Sequence, residues 1–211
     1  MGRRTGNRTR LSAPVVIVAG YLAGAIPFSY LMARRSRGVD LRSVGSGTVS
    51  GTSLYRVAGF LPLAGAGVLE VAKGAVGPVL AGRDRPVLGA VAGGAAVVGH
   101  NWSVVLGGAG GRGISPALGA FLVQDPAGTV VLLTGLVAGK LAGESAVGCL
   151  IAYGVLGPVL AARKGRIGAL AAAAVLVPML AKRLAGNAPA PDRGTYLWRL
   201  VFDRDTPQLE D

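Results

Sequence analysis

Long apolar runs alternate with short polar loops along the chain. Three runs are long enough to cross a bilayer as helices, which takes about 20 residues; they are 11–33, 54–80 and 87–106. Shorter apolar runs follow at 114–123, 128–141, 146–162 and 167–180. The pattern predicts an all-α integral membrane protein, a polytopic bundle of about seven transmembrane helices with glycine-rich cytoplasmic loops. The count is six or seven, depending on whether 114–123 is counted separately.

Three residues interrupt the first two runs. Pro27 is expected to kink the first helix, because proline lacks the amide hydrogen that continues a helical hydrogen-bond ladder. Glu70 and Lys73 lie inside the second run, where charged groups usually face a bundle interior, a cavity or one another. Their spacing of three residues allows an ion pair on one helix face. Such a pair serves either a functional site or the structure alone.

The composition agrees with a membrane location. Of the 211 residues, 51% are hydrophobic and 15% are charged, against about 25% charged in soluble domains. The mean hydropathy is +0.53. Many of the 35 glycines lie inside the apolar runs, where small residues let helix backbones approach closely. The glycines spaced by four residues are predicted packing surfaces: Gly20 and Gly24, Gly89 and Gly93, and Gly135, Gly139 and Gly143.

The net charge of +12 is concentrated at the ends of the apolar runs, for example at Arg34, Arg35 and Arg37 and at Lys182 and Arg183. Basic clusters there orient helices and meet anionic lipid head groups. The expected partners are therefore membrane lipids and not nucleic acid. The positive-inside rule favours a cytoplasmic loop after the first helix, which predicts a multi-pass protein of the inner (plasma) membrane.

The chain is expected to form one membrane domain over residues 1–186, followed by a polar, partly disordered tail over 187–211. Within the tail, 196–202 is a candidate for the membrane interface. Cys149 is the single cysteine and His100 the single histidine. This leaves no disulfide framework and no multi-histidine metal site, so neither a metal nor a cofactor is expected.

Candidate chemistry lies in the loop at 38–56. Gly45, Gly47 and Gly51 free the backbone to turn tightly and to bring N–H groups to a ligand. Several hydroxyl side chains and two arginines, Arg42 and Arg56, accompany them. This inventory suits phosphate or another anion. The alternative is a plain glycine-rich turn between two membrane helices, with arginines that only set orientation.

Some enzyme classes are excluded. The segment at 108–113 matches Gly-x-Gly-x-x-Gly, but no strand precedes it and no βαβ unit surrounds it, so dinucleotide binding is rejected. The His-x4-Asp signature of soluble-type glycerolipid acyltransferases would need an aspartate at Val105. His100 itself is a general base, a phosphate hydrogen-bonder, or a histidine satisfied by a neighbouring carbonyl.

The polar segments occur in a characteristic order: 24–31, 38–42, 45–47, 52–56, Lys73-Gly74, 99–102 and 110–113. In this order they resemble the bacterial integral-membrane acyl-phosphate:glycerol-3-phosphate acyltransferases, the PlsY family, over about residues 18 to 120. The resemblance implies seven helices with the motif loops at the cytoplasmic face. It also implies transfer of an acyl chain from acyl phosphate to the 1-hydroxyl of glycerol 3-phosphate, giving lysophosphatidic acid in phospholipid biosynthesis. A monomer without metal or nucleotide is expected.

The resemblance also implies site residues. Acyl phosphate is already activated, so positioning and charge stabilisation supply most of the catalysis and no enzyme nucleophile is needed. The implied catalytic residues are Ser46, Lys73, His100 and Arg112. The implied phosphate-binding residues are Gly45, Gly47, Arg56, Asn101, Gly110, Gly111 and Gly113.

The chain departs from the family pattern in both loops. Thr48, Ser50, Gly51 and Ser53 stand where the family has Asn, Gly, Ala and Asn, and Glu70 replaces an aspartate. The usual Lys-Gly-Gly-Lys-Gly is Ala109-Gly-Gly-Arg-Gly113, and the C-terminal motif has no match beyond 183–186. Two alternatives follow: a non-catalytic or substrate-shifted relative that binds a phosphorylated polyol or anionic lipid, and a small membrane transporter.

Overall fold

The computed structural model describes residues 10–45 and 47–205. All regular secondary structure within these ranges is helical. The α-helices, in chain order, are α1 (Ala13–Ala25), α2 (Phe28–Arg37), α3 (Gly51–Ala58), α4 (Phe60–Ala81), α5 (Pro86–Asn101), α6 (Ile114–Gln124), α7 (Pro126–Leu141), α8 (Ser145–Ala185) and α9 (Gly194–Phe202). Short 3-10 turns lie at Leu41–Ser43 and Val104–Leu106.

Within the described residues, four helical segments are long and apolar enough to cross a membrane. They are Ala13–Arg37, Phe60–Ala81, Pro86–Leu106 and Ser145–Ala185, while α6 and α7 are shorter apolar helices. Large apolar side chains such as Leu61 and Val177 are exposed on the outside of the bundle, as lipid-facing residues would be. The predicted all-α membrane architecture is confirmed, and the number of about seven spans stays a prediction.

The predicted kink at Pro27 is confirmed, and it is strong enough to divide the run into two helices. Helix α1 ends at Ala25, and Pro27 is the N-cap of α2. The predicted first residue of the second membrane helix, in the run 54–80, is wrong, because Gly59 adopts φ +85° and separates α3 from α4. The membrane helix therefore begins at Phe60, and α3 belongs to the polar loop region.

Helix α8 is divided by a sharp turn at Lys164 and Gly165, where Gly165 has φ +57°. A Cβ on Gly168 would contact the carbonyl oxygen of Leu160, although eight residues of straight helix would separate the two by about 12 Å. The chain therefore bends sharply between the halves 145–163 and 166–185, which agrees with two separate apolar runs in the sequence.

Glycines bring several helices into direct backbone contact. A Cβ on Gly20 or Gly24 would meet the carbonyl of Ala92 or Ala96 in α5, and Gly135 and Gly139 pack on Gly148 of α8. These packing predictions are confirmed. The prediction was wrong for Gly143, because it ends α7 as a turn residue: its φ is +85°, and a Cβ added there would have no neighbour within 4 Å. Gly89 makes only ordinary contacts, whereas Gly93 lies close to Gln124.

Helix α5 is the centre of the bundle, with α1, α4, α6 and α8 packed around it. Its C-terminal end carries His100 and Asn101, both buried. The segment after α8 is also packed where the structure describes it, since Arg199 of α9 is buried and paired with Asp205 at 2.6 Å. The expectation of disorder is therefore wrong for this part of the tail, because Arg199 anchors it to carbonyls of Leu184, Ala185 and Ala188.

Candidate functional site

A buried ionic cluster lies where α4 meets the end of α5. Glu70 Oε2 is 2.6 Å from Lys73 Nζ and 3.2 Å from His100 Nδ1. Glu70 Oε1 accepts a hydrogen bond of 2.9 Å from the amide of Ser29. All three charged or titratable side chains are buried. One carboxylate thus holds both an ammonium group and an imidazole, as charges in a membrane interior require.

The helix break at Pro27 supplies the remaining partners. Because α1 stops at Ala25, the Ala25 carbonyl does not receive the helical hydrogen bond of the Ser29 amide, which donates to Glu70. The Ile26 carbonyl accepts a 3.2 Å bond from the Phe28 amide across the break. Lys73 Nζ donates to the carbonyl of Ile26 at 2.7 Å, and Ser103 Oγ donates to the carbonyl of Ala25 at 2.6 Å. The break that the sequence predicts is therefore part of the site.

The second glycine-rich loop, residues 107–113, is pressed against the end of α5. Gly111 N donates to the carbonyl of His100 at 3.2 Å, and Val49 N donates to the carbonyl of Gly110 at 3.2 Å. A Cβ on Gly111 would contact His100 Nε2 and would lie 2.7 Å from the carbonyl oxygen of Val49. Only glycine fits there. His100 therefore points Nδ1 at Glu70 and Nε2 at this loop.

The first glycine-rich loop lies beside it through Val49. Gly45 and Gly47 have φ +56° and +65°, a conformation that favours glycine. Arg42 makes a bidentate contact with Asp40, and its guanidinium lowers the pKa of that carboxyl to about 2. Ser46 lies outside the described residues. Arg56 is exposed on α3, away from the buried cluster.

Asn187 joins the two loops, and the sequence analysis missed it. Its Nδ2 donates to the carbonyls of Gly47 at 3.0 Å and Gly110 at 2.9 Å, and its Oδ1 accepts from Gly110 N at 3.2 Å. The sequence analysis assigned this residue to the polar tail. The sequence feature that could have identified Asn187 is its position directly after Gly186, the last residue that matches the C-terminal motif of the family.

Arg112 is not brought to the Glu70 cluster. Its Nε lies 2.6 Å from Asp203 Oδ1, and its Nη1 donates to the carbonyl of Lys182 at 2.8 Å. Burial lowers the pKa of Arg112 and raises the pKa of Asp203. Asn101 is fully buried and donates to the carbonyl of Pro178 at 2.8 Å, so it ties α5 to α8. Gly113, with φ +82°, lies against the Asn101 side chain.

A small cavity of about 10 Å³ connects the ionic cluster to the second loop. That volume holds about one water molecule. Its lining includes the residues Pro27, Val49, Glu70, Lys73, His100, Ser103, Gly110 and Gly111. Within the described ranges, no group of three or more His, Cys, Asp or Glu side chains could hold a metal ion. The arrangement offers an anchored imidazole and the Lys73 ammonium group, whereas the N–H groups of residues 107–111 already donate to backbone carbonyls or to Asn187.

Comparisons with known proteins give a consistent result. The family model described as glycerol-3-phosphate acyltransferase matches residues 14–187. The glycerol-3-phosphate acyltransferase of Shouchella clausii is 37% identical over 133 residues, covering 59% of this chain and 65% of the relative. Glycerol-3-phosphate acyltransferase 4 of Dehalococcoides mccartyi is 38% identical over 153 residues, covering 70% and 64%. The chain thus spans just under two thirds of the length of these curated relatives.

A solved structure agrees in fold. The crystal structure of PlsY (YgiH), an integral membrane glycerol 3-phosphate acyltransferase in its glycerol 3-phosphate form, superposes with a TM-score of 0.74 at 25% identity. The match covers 82% of this chain and 88% of that one. This multi-pass membrane protein therefore belongs to the glycerol-3-phosphate acyltransferase family.

Proposed function

We propose that the protein transfers an acyl chain from acyl phosphate to the 1-hydroxyl of glycerol 3-phosphate, giving lysophosphatidic acid and inorganic phosphate. The observation that carries the proposal is the meeting of the two glycine-rich loops, bridged by Asn187, beside a histidine that Glu70 anchors. Family membership and the glycerol 3-phosphate form of the solved relative support it.

In this reaction the hydroxyl oxygen bonds to the acyl carbon, and the bond between that carbon and the phosphate oxygen breaks. The departing phosphate carries away the electron pair, and the hydroxyl proton goes to a base or to that phosphate. Glu70 holds His100 through Nδ1, which leaves Nε2 directed at Gly111 and available to a substrate hydroxyl or phosphate. The Lys73 ammonium group, which lines the same cavity as Gly110 and Gly111, stabilises phosphate charge. Ser46, Gly45, Gly47 and Arg56 belong to this proposed phosphate site.

We place the protein in the inner (plasma) membrane as a monomer, with both glycine-rich loops in the cytoplasm. Among the described residues, seven apolar helical segments are compatible with a seven-helix arrangement: Ala13–Arg37, α4, α5, α6, α7 and the two halves of α8. Both loops and Asn187 then lie at one end of the bundle, where water-soluble glycerol 3-phosphate has access.

A relative without catalytic activity is the second candidate. The observation that favours it is the ion pair between Arg112 and Asp203, which engages the cation expected to face phosphate. Such a protein would bind a phosphorylated polyol or an anionic lipid at the same loops.

The test is an assay of purified protein in detergent with acyl phosphate and glycerol 3-phosphate, scored for lysophosphatidic acid. We expect turnover without added metal, no turnover with acyl-CoA, and a loss of about 10²- to 10⁴-fold for His100→Gln. If wild type forms no lysophosphatidic acid from acyl phosphate and none from acyl-CoA, the proposal is contradicted. Binding of glycerol 3-phosphate without turnover would favour the second candidate.

A further inference from the structure

Among the described residues, the second glycine-rich loop contains the largely buried Arg112 and lies near the buried Lys73 and Lys182, and these three cations differ in their partners. Lys73 is paired with Glu70, and Arg112 is paired with Asp203. Lys182 is only 1% exposed. Within residues 10–45 and 47–205, no carboxylate lies within ion-pair distance of its ammonium group. A buried charge without a counter-charge in a membrane protein indicates a functional site.

The Lys182 side chain points at the loop. From the last turn of α8, Nζ lies 3.4 Å from the carbonyl oxygen of Gly108 and 5.4 Å from the centre of the Trp102 ring. An ammonium group has three N–H donors, and the one hydrogen bond described for it is long. The group therefore keeps donor capacity for a ligand at the loop.

The same loop lacks a lysine of its own. Ala109 stands directly after Gly108, at the position where the family pattern has lysine. We propose that Lys182 is a phosphate-binding residue of this site, and that it supplies from α8 the cation that position 109 lacks. This inference rests on the proposed function, since it assigns a substrate phosphate to the same loops.

The electrostatic surroundings support an anion in contact with Lys182. Arg112 Nη1 donates to the backbone carbonyl of Lys182 at 2.8 Å, so the two cations are neighbours and their like charges repel. A phosphate group bound between the loop and Lys182 would relieve this repulsion and place the phosphate beside His100. Arg183 differs from Lys182, because carbonyls of Ala146, Arg199 and Val201 already engage its guanidinium.

The shared ligand chemistry is a phosphate group, carried by either acyl phosphate or glycerol 3-phosphate. The experiment compares wild type, Lys182→Met, Lys182→Arg and the double variant Lys182→Met/Ala109→Lys in steady-state kinetics, with each substrate varied in turn. Lys140→Met is the matched control, because it removes a lysine of α7 at the exposed end of that helix. The substrate whose KM rises more is the one whose phosphate Lys182 binds.

We expect Lys182→Met to lower kcat/KM by about 10²-fold or more, Lys182→Arg to keep most of it, and Lys140→Met to stay within about twofold. Adding Ala109→Lys to Lys182→Met should recover at least about tenfold, because a lysine at either position reaches phosphate as a point charge. Kinetics of Lys182→Met equal to those of Lys140→Met would overturn the inference and leave the proposed function intact.

Two further measurements keep the test decisive. If Lys182→Met does not fold, the single variant Ala109→Lys tests the inference. We expect its kcat/KM to rise by less than about fivefold, since Lys182 already supplies the cation at this site. A larger gain overturns the inference. If wild type is inactive, the readout is thermal stabilisation by glycerol 3-phosphate and, separately, by acyl phosphate. Stabilisation by either compound that Lys182→Met loses and Lys182→Arg keeps supports Lys182 while the proposed function fails; equal stabilisation of all three proteins by both compounds contradicts the inference.

Discussion

At the scale of single residues, Glu70 is the side chain that the other polar groups of the buried cluster contact. Its carboxylate contacts Lys73, His100 and the Ser29 amide. Two of these partners are titratable groups that α4 and α5 bury together. A carboxylate in this position stabilises the fold and also orients the imidazole, so stability and activity need separate measurements.

Removing the charge of Glu70 should cost more stability than removing the whole pair. Glu70→Gln leaves Lys73 buried without a counter-charge, which we expect to lower the free energy of unfolding by about 3–5 kcal/mol. The double variant Glu70→Leu/Lys73→Met should recover much of this loss, because no isolated charge remains. Both variants should lose activity: Glu70→Gln replaces the carboxylate beside His100 Nδ1 with a neutral, weaker acceptor, and the leucine of the double variant accepts no hydrogen bond. Denaturant unfolding in detergent measures the first effect and initial rates the second.

Glu144→Gln is the control for this experiment. Glu144 pairs with Arg204 at 2.8 Å, and both side chains are partly exposed, so the expected cost is about 0–1 kcal/mol. Equal destabilisation by Glu70→Gln and Glu144→Gln would show that the buried cluster contributes no more than a surface pair.

At the scale of elements, the site depends on a loop that packs directly on a helix end. The loop at 107–113 contacts the carbonyls of His100 and Asn101 through glycines that leave no room for a side chain. These glycines permit the close packing because they lack a Cβ, and the N–H groups of Gly110 and Gly111 hold the loop to Asn187 and His100. Their role in positioning His100 can therefore be tested apart from phosphate binding.

Gly111→Ala should lower kcat/KM by about 10²-fold, because displacement of a catalytic group by about 1 Å has an effect of that size. The new Cβ would contact His100 Nε2 and the carbonyl of Val49. Gly67→Ala in α4 is the matched control, since its Cβ would have no neighbour within 4 Å. We expect unchanged activity for Gly67→Ala and a slightly more stable helix. Equal kinetics for the two variants would show that Gly111 does not position His100.

The sequence predicted the elements better than it predicted their partners. Apolar runs and Pro27 marked most helix positions, because both signals are local. Gly59 was missed, since a glycine in an apolar run suits close packing as well as a helix break. Asn187 was missed for a different reason: its partner Gly47 is 140 residues away in sequence. Arg112 was recognised as a cation, but no local pattern shows that Asp203 engages it.

At the scale of the whole molecule, the two ends of the bundle carry different parts of the chain. Loop 38–59, the loop at 107–113 and the segment after α8 lie at one end, as the contacts of Asn187 and Arg112 require. The turn at 82–85 lies at the other end, because α4 separates it from Gly59 by about 33 Å of helix. Arg163, next to the turn of α8, contacts Asp125 at the junction of α6 and α7.

This arrangement gives a direct test of orientation. A protein that takes glycerol 3-phosphate from the cytoplasm must have its loops there, and the basic residues Arg34, Arg35 and Arg37 at the end of α2 favour the same side. A cysteine at exposed Ser43 should then resist a membrane-impermeant thiol reagent in intact cells and react after lysis. A cysteine at exposed Asp84, in the turn between α4 and α5, should react in intact cells once any outer barrier is opened. Cys149 is replaced in both proteins, although its burial already protects it.

The cysteines introduced at Ser43 and Asp84 report on opposite ends of the bundle, so the two results together decide the orientation. Reaction of Ser43→Cys after lysis shows that the membrane, and not the fold, protected it in intact cells, and labelling of Asp84→Cys in the same intact cells shows that the opposite end is outside. Labelling of Ser43→Cys together with protection of Asp84→Cys in intact cells would show that the protein has the opposite orientation in the membrane. The loops would then face away from the cytoplasm, and a cytoplasmic supply of glycerol 3-phosphate would no longer fit the site.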